Sequence, residues 1–149
     1  MFEIESKKPD LISIITKRTI VTFDVANSTI DGNLEVGLIH GPGEVEIGDV
    51  SVRGIAVADS KTIYDVEVGG VHVGIIGEIE DGLDDLGVAN ILCTSSVRAI
   101  REIDPKLVIA MGNVDGMVSE LKLAARAEKK LKIKNYDALP STLEVVVLN

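Results

Sequence analysis

Aromatic residues are scarce in this chain. Its 149 residues include no Trp, two Tyr and two Phe, so aromatics make up only 3% of the sequence. Hydrophobic residues nevertheless make up 46%, and the core must therefore be built from Val, Ile, Leu and Ala. Such richness in β-branched residues favours sheet. The length fits one domain with a single core, residues 1–149.

Cysteine is nearly absent as well, which excludes a disulfide within the chain. The one cysteine, Cys93, lies in the apolar run NILCTS, where a small buried hydrophobe is expected rather than a nucleophile or a metal ligand. The N-terminal MFEIESKKPD lacks the basic-then-apolar pattern of a secretory signal, and no apolar run is long enough to cross a bilayer. We therefore predict a cytoplasmic protein without a membrane partner.

Positive charge is in short supply. The 15 Lys and Arg residues stand against 24 Asp and Glu residues, which gives a net charge of −9. A negative chain repels phosphate backbones and anionic lipid surfaces. Nucleic acid is therefore excluded as an expected partner.

Short apolar runs and turn residues organise the first two thirds of the sequence. Runs at Leu11–Ile15 and Ile20–Phe23 predict buried strands, a loop follows over Asp24–Gly32, and residues 34–39 predict a further strand. Alternating residues on both sides of Gly48-Asp49 and of Gly69-Gly70 then predict two hairpins. The middle of the chain is therefore expected to be an antiparallel meander.

The last third changes to strand and helix in alternation. An apolar run at Ala89–Cys93 and a strand at Leu107–Met111 flank a helix that Ser96 caps and Asp104-Pro105 ends. Helical spacing predicts a further helix from Asp115 to about Lys130. Two terminal strands are predicted, at Lys132–Lys134 and Glu144–Leu148.

Five segments occur in an order that resembles one known family: GPGEVEI, VSVRGI, TIYDVEVGGVHVGIIGE, IDPKLVIAM and LPSTLEVVVL. They are similar to the metallo-β-lactamase-fold superfamily, in its branch of small, predicted zinc-dependent hydrolases. The resemblance spans Pro9 to Leu148. It implies an α/β fold, an αββα sandwich, with one or two metals, usually zinc, at the end of the sheets, where they activate water for hydrolysis.

The residues that the resemblance places at the metal-ligand positions cannot hold zinc. The His-x-His-x-Asp-His signature and a later His are replaced at Thr16, Arg18, Ile20, Val21 and Gly112. Glu78 stands where the family has a bridging Asp, and Asp59 falls near a further family His. Arg18 adds positive charge, and Ile20 and Val21 are apolar, so no catalytic residue, no metal and no cofactor is predicted.

The other polar candidates have structural interpretations. His40 and His72 are isolated imidazoles, which do not make a metal site. An acidic stretch is expected to be a solvated loop rather than a cation site; it contains Glu78, Glu80, Asp81, Asp84 and Asp85. The hydroxyls of Ser95, Ser96, Thr16 and Thr19 have no adjacent His base. In GPGEVEIG, Glu44 and Glu46 oppose an anion, so its glycines are assigned to turns.

The N-terminus is shorter than the family pattern. The family opens with a strand, a turn and a hairpin before its Pro-Asp strand, whereas only Met1–Lys8 precede Pro9 here. This predicts a truncated domain in which one sheet edge is open. Because an open edge invites pairing, a homo-oligomer through that edge is predicted.

Three functions follow from these observations. The leading one is a non-catalytic metallo-β-lactamase-like domain that serves as an oligomeric structural or interaction protein. The alternative is a hydrolase of the superfamily with a non-standard site, which gathers zinc through Glu78, Asp59 and a partner chain or works without metal. A regulatory module that binds a small molecule in the former cleft is the third.

Overall fold

The computed structural model describes residues 1–32 and 38–149. Its strands, in chain order, are β1 (Phe2–Glu5), β2 (Leu11–Ile15), β3 (Ile20–Asp24), β4 (Thr29–Asp31), β5 (Ile39–His40), β6 (Gly43–Ile47), β7 (Val50–Ala56), β8 (Thr62–Val68), β9 (Val71–Gly77), β10 (Ile91–Thr94), β11 (Leu107–Ala110), β12 (Ala125–Glu128), β13 (Lys130–Ile133) and β14 (Glu144–Leu148). The helices are α1 (Leu83–Leu86), α2 (Val97–Ile103) and α3 (Val114–Leu121). None of the helices in these residues has the length and apolar character needed to cross a membrane.

The strands form two sheets. The first sheet is antiparallel, with the order β13-β1-β2-β3-β4-β5, and the second has the order β12-β14-β11-β10-β9-β8-β7-β6. In the second sheet, β6 to β9 form an antiparallel meander, whereas β9, β10, β11, β14 and β12 are parallel neighbours. Parallel neighbours need a crossover connection, and α1, α2 and α3 lie in the three connections that follow β9, β10 and β11.

Two apolar clusters hold these layers together. The larger cluster lies between the sheets and draws on alternate residues of both, among them Ile4, Ile12, Ile14, Val21, Phe23, Val66, Ile75 and Ile109. The smaller cluster lies between the second sheet and the helices and includes Ile63, Ile76, Leu92, Ala99, Ile100 and Met117. Because β10 and β11 are covered on both faces, their sequences are almost continuously apolar, as in other buried parallel strands.

The described helices cover one sheet only. Side chains of α1, α2 and α3 belong to the cluster on the second sheet. The outer positions of the first sheet are instead polar or half-exposed, as in the Glu3–Lys132 and Ser13–Thr22 pairs; the two hydroxyls of the second pair are hydrogen-bonded at 2.8 Å. The resemblance implied helices on both outer faces; within residues 1–32 and 38–149, the helices pack on the second sheet alone.

Most local predictions are confirmed. β2 spans the predicted residues, the two hairpins turn at the predicted Gly48-Asp49 and Gly69-Gly70, and Glu144–Leu148 is a strand. The first helix after β10 begins after Ser96, whose Oγ accepts a hydrogen bond from the Ala99 backbone N–H at 3.0 Å. That helix ends where Asp104 adopts a left-handed φ of 56°.

Three predictions need correction. The loop expected at Asp24–Gly32 contains β4, which pairs with β3. The helix expected up to Lys130 ends at Leu121, because Lys122 is left-handed and the residues after it form β12 on β14. The N-terminal residues form β1, which lies between β2 and β13, so they do not leave an open edge. Residues 34–37 of the strand predicted at 34–39 lie outside the described residues.

Tyr64 is buried between the two sheets. Its ring contacts Phe23, with 5.2 Å between the ring centroids, and its residue exposure is 0%. In the described part of the chain its hydroxyl has no hydrogen-bond partner. Burial, and to a lesser degree the negative charge of Asp24, raises the pKa of Tyr64 to about 12.

We expect Tyr64→Phe to remove an alkaline loss of stability. The folded state holds the phenol proton more tightly than the unfolded chain, whose Tyr pKa is about 10. The protonated phenol's contribution to the stability of the fold is therefore complete below pH 10 and is lost as the pH rises towards 12. Between neutral and alkaline pH, the free energy of unfolding measured with denaturant should decrease less for Tyr64→Phe than for the wild type. At neutral pH it should be about 1 kcal/mol higher in the variant, because an unpaired buried hydroxyl is removed.

The exposed Tyr136 provides the matched control for this experiment. The free energy of unfolding of Tyr136→Phe should decrease between pH 10 and 12 by as much as that of the wild type. An equal alkaline decrease in Tyr64→Phe and in the wild type would contradict the assignment.

Candidate functional site

The edge at which the parallel strands end is the candidate site. β9, β10 and β11 run in the same direction, and their carboxyl ends are followed by Glu78, Ser95 and Met111. In open sheets of this kind, ligands bind outside the carboxyl ends of the strands. The three residues therefore mark the place to look for chemistry.

Gly77 shapes this edge. It has a φ of +59°, and a Cβ added there would lie 2.6 Å from Cγ1 of Val25. Its carbonyl accepts hydrogen bonds from the Thr94 hydroxyl at 2.7 Å and from the Ser95 N–H at 3.0 Å. The chain thus bends at Gly77, and the two bonds bring Glu78 beside Ser95.

The first sheet supplies the opposite side of the edge. Asp10 precedes β2, and its carbonyl accepts a hydrogen bond from the N–H of Val25 at 2.9 Å. The Lys61 ammonium donates to the carbonyl of Ala26 at 2.7 Å. Together they form a depression of about 240 Å³ that is lined by Asp10, Val25, Ala26, Lys61, Glu78, Ile79, Ser95 and Met111.

The donor set of this depression does not fit zinc. Zinc sites in proteins use three or four N, S or O ligands in tetrahedral geometry, and the lining offers two carboxylates and no imidazole or thiol. The Lys61 ammonium adds positive charge against a metal ion. Across residues 1–32 and 38–149, no three His, Cys, Asp or Glu side chains are grouped so that they could hold a metal ion.

The structure does not gather the positions that the resemblance matched to metal ligands. Thr16, Arg18 and Ile20 line another depression, at the turn between β2 and β3, where the Thr16 hydroxyl donates to Asp49 at 2.7 Å. Gly112 lies in a depression beside Asp10, at the other end of β2. Five strand residues span about 16 Å, which separates the two groups.

The remaining sequence candidates divide between core, edge and surface. Val21 is buried between the sheets. Glu78 lies at the edge described above, but Asp59 belongs to the exposed 3₁₀ turn Ala58–Ser60 and is not among the residues that line the depression with Glu78. Cys93 is buried in the core between the sheets, and burial raises the pKa of its thiol. A thiol in this state is inert towards metals and electrophiles.

His72 has a structural role in the described contacts. Its Nδ1 lies 3.2 Å from Asp65 Oδ1, and the other carboxylate oxygen of Asp65 accepts from Arg53 at 3.1 Å. Arg53 also donates to the carbonyls of Asp85 and Leu86. The group therefore attaches α1 to the outer face of the second sheet, away from the edge. His40 is exposed in β5, where it pairs with Thr29.

Sequence reasoning missed Asp10 and Lys61. Asp10 has a left-handed φ of 66°, and Lys61 follows two left-handed residues, Asp59 and Ser60. No periodicity marks such loop residues, and they meet only because the two sheets pack face to face. The Pro9-Asp10 step and the turn residues before Lys61 signal loops, but they carry no information on which loops become neighbours.

We expect Gly77→Ala to destabilise the fold and to displace Glu78 from Ser95. A side chain at this φ costs about 1 kcal/mol, and the contact with Val25 adds about 2 kcal/mol of overpacking. Gly70→Ala is the matched control, since Gly70 has a φ of +77° and open space around its added Cβ. Denaturant unfolding should show a loss of about 1 kcal/mol for the control and about 3 kcal/mol for Gly77→Ala; equal losses would exclude the Val25 contact.

Comparisons with known proteins identify the architecture. No family model matches the sequence, and no curated protein matches it. Among solved structures, the chain is similar to a proposed Zn-dependent hydrolase of the metallo-β-lactamase superfamily from Thermotoga maritima, with a TM-score of 0.71 and 15% sequence identity. The alignment covers 100% of both chains. The chain therefore has the metallo-β-lactamase-like fold that the resemblance implied.

Proposed function

We propose that this chain is a non-catalytic protein of metallo-β-lactamase-like fold, which acts in the cytoplasm as an oligomeric structural or interaction protein. The observation that carries the proposal is the chemistry of the depression at the strand ends. There the two carboxylates of Asp10 and Glu78 share the lining with the Lys61 ammonium. A lysine supplies the positive charge at this edge from within the chain, where a hydrolase of this fold would need a metal.

The hydroxyl groups at the edge also support a non-catalytic function. Thr94 donates to Gly77, and Ser96 accepts from Ala99 as the cap of α2 and donates to Glu80. The hydroxyls of Thr94 and Ser96 are thus engaged with the backbone of Gly77 and Ala99 and with the Glu80 carboxylate. An activated nucleophile needs a base positioned by a third group, and neither described histidine contact involves a hydroxyl of this edge.

Elemental analysis of protein purified without chelator tests the proposal. We expect less than stoichiometric zinc, manganese or iron, and an unchanged melting temperature when zinc is added, because the depression lacks a tetrahedral donor set. Glu78→Gln is the matched variant and should behave like the wild type. About one tightly held metal per chain that is lost in Glu78→Gln would instead support the hydrolase with a non-standard site at Glu78 and Asp59.

A second candidate function, a small-molecule-binding module, is favoured by the depression on the other side of Met111. Its volume is about 540 Å³, within the range of ligand pockets. Its lining is mostly apolar and includes Ile12, Ile109, Met111, Val114 and Leu148. The charged residues of the lining are Lys7, Lys8 and Asp10, so the two lysines leave it with a net positive charge. This combination suits a small ligand with an apolar body and an anionic group.

Thermal unfolding with a simple probe tests the second candidate. Octanoate should raise the melting temperature with increasing concentration, because binding to the folded state alone stabilises it. Octanol, which has the same chain without the charge, is the matched ligand control and should act more weakly. The variant Lys7→Glu with Lys8→Glu should remove the difference between the two probes; the absence of a shift with both probes would exclude this function.

Assembly is the remaining part of the proposal. The sequence predicted an oligomer through an edge left open at the N-terminus, but β1 is enclosed by β2 and β13. An assembly through a sheet edge must therefore use a strand that ends one of the two described sheets. Within the described residues, these terminal strands are β13 and β5 in the first sheet and β12 and β6 in the second.

A further inference from the structure

The charge patterns of the terminal strands differ in whether a strand can pair with a copy of itself. When a strand pairs antiparallel with its own copy, the residue before the symmetry axis in one copy lies opposite the residue after the axis in the other. The two residues on either side of the axis must therefore carry opposite charges, or no charge, for the pairing to be stable. β6 reads GEVEI, and pairing about Val45 would place Glu44 opposite Glu46 of the second copy. β13 reads KLKI, and pairing about Leu131 would place Lys130 opposite Lys132 of the second copy. Like charges directly opposite each other are destabilising.

β12 has the complementary pattern. It reads ARAE, and pairing about Ala127 places Arg126 opposite Glu128 of a second copy and Glu128 opposite Arg126. Both side chains are about half-exposed, at 47% and 45%.

The backbone of β12 is oriented for this register. β12 pairs in parallel with β14, with Glu128 aligned to Leu148, and the Glu128 carbonyl accepts from the N–H of Asn149 at 3.0 Å. Since successive residues of a strand direct their N–H and C=O groups to opposite sides, Arg126 and Glu128 bond to β14. The N–H and C=O groups of Ala125 and Ala127 therefore lie on the free side.

The same alternation decides which pairs come closest. With Ala127 opposite itself across the axis, the two copies exchange two N–H···O=C bonds at that position. Arg126 and Glu128 then occupy a non-hydrogen-bonded pair, in which side chains lie closer together than in a hydrogen-bonded pair. Within one chain Arg126 already contacts Glu128 at 3.4 Å and also pairs with Glu144, so the second copy adds to an existing charge network.

We propose that the chain forms a symmetric dimer in which the β12 strands of two copies pair antiparallel about Ala127 and join their eight-stranded sheets into one. This inference deepens the proposed function, because it assumes that the chain is oligomeric, and it names the partner and the contact. The recognising chemistry is an edge strand with an alternating Arg and Glu pattern. A second copy of this chain presents that pattern in the matching register.

A charge-swap experiment tests the dimer, with molecular mass measured by sedimentation over a concentration series. The wild type should give twice the 15.9 kDa chain mass. Arg126→Glu alone places Glu opposite Glu, and Glu128→Arg alone places Arg opposite Arg, so each should dissociate at least about tenfold more readily than the wild type. An equimolar mixture of the two variants should recover a dimer, because both cross-strand pairs are then complementary.

Control variants and outcomes separate this inference from the wider proposal. Glu46→Arg on β6 should leave the wild-type dimer unchanged, and circular dichroism should show that all variants are folded. A monomeric wild type would overturn both the dimer and the proposed oligomer. An oligomeric wild type whose Arg126→Glu and Glu128→Arg variants assemble equally well alone would overturn the β12 contact and leave the oligomer standing. A mixture that stays monomeric would overturn the register.

Discussion

Burial of branched aliphatic side chains between two sheets is the constraint on which this structure depends. With so few aromatic residues, the chain fills the interior with many small contributions from Ile and Val on alternate positions of facing strands. Alternation fixes register, because a shift by one residue would move every apolar side chain of a strand to the other face. The outer positions of the first sheet are free to be polar, whereas the outer positions of β10 and β11 in the second sheet are mostly apolar and pack against the helices.

This constraint explains why much of the fold could be predicted. Turns with a local chemical signature were found at the right residues: Gly48-Asp49, Gly69-Gly70, and the Ser96 cap with its Asp104-Pro105 stop. Each of these depends on a few neighbouring residues, and the sequence carries that information directly. The family resemblance, which linked the segments, predicted the architecture that the comparison with a solved structure confirms.

The elements that could not be predicted depend on distant partners. The residues of β12 have a spacing that suits a helix, and only the presence of β14 beside them makes them a strand. β1 contains just two apolar residues, Phe2 and Ile4, and it is a strand because β2 and β13 flank it. Propensity is a weak prior that such tertiary pairing overrides.

The same limit applies to the candidate site, since Asp10 and Lys61 become neighbours only through packing of the sheets. The metal-binding function implied by the resemblance does not follow from the scaffold, because function resides in the particular side chains that a fold presents.

The passage between the sheets has a mechanical consequence. β12 ends at Glu128 in one sheet and β13 begins at Lys130 in the other, so a single residue, Lys129, joins the layers along one side. A connection this short keeps the end of β12 next to the start of β13. The two strands that it joins should open together rather than separately, as one cooperative unit of local unfolding. On the opposite side, Gly41 and Pro42 alone join β5 to β6, so short connections hold the two layers together along both sides.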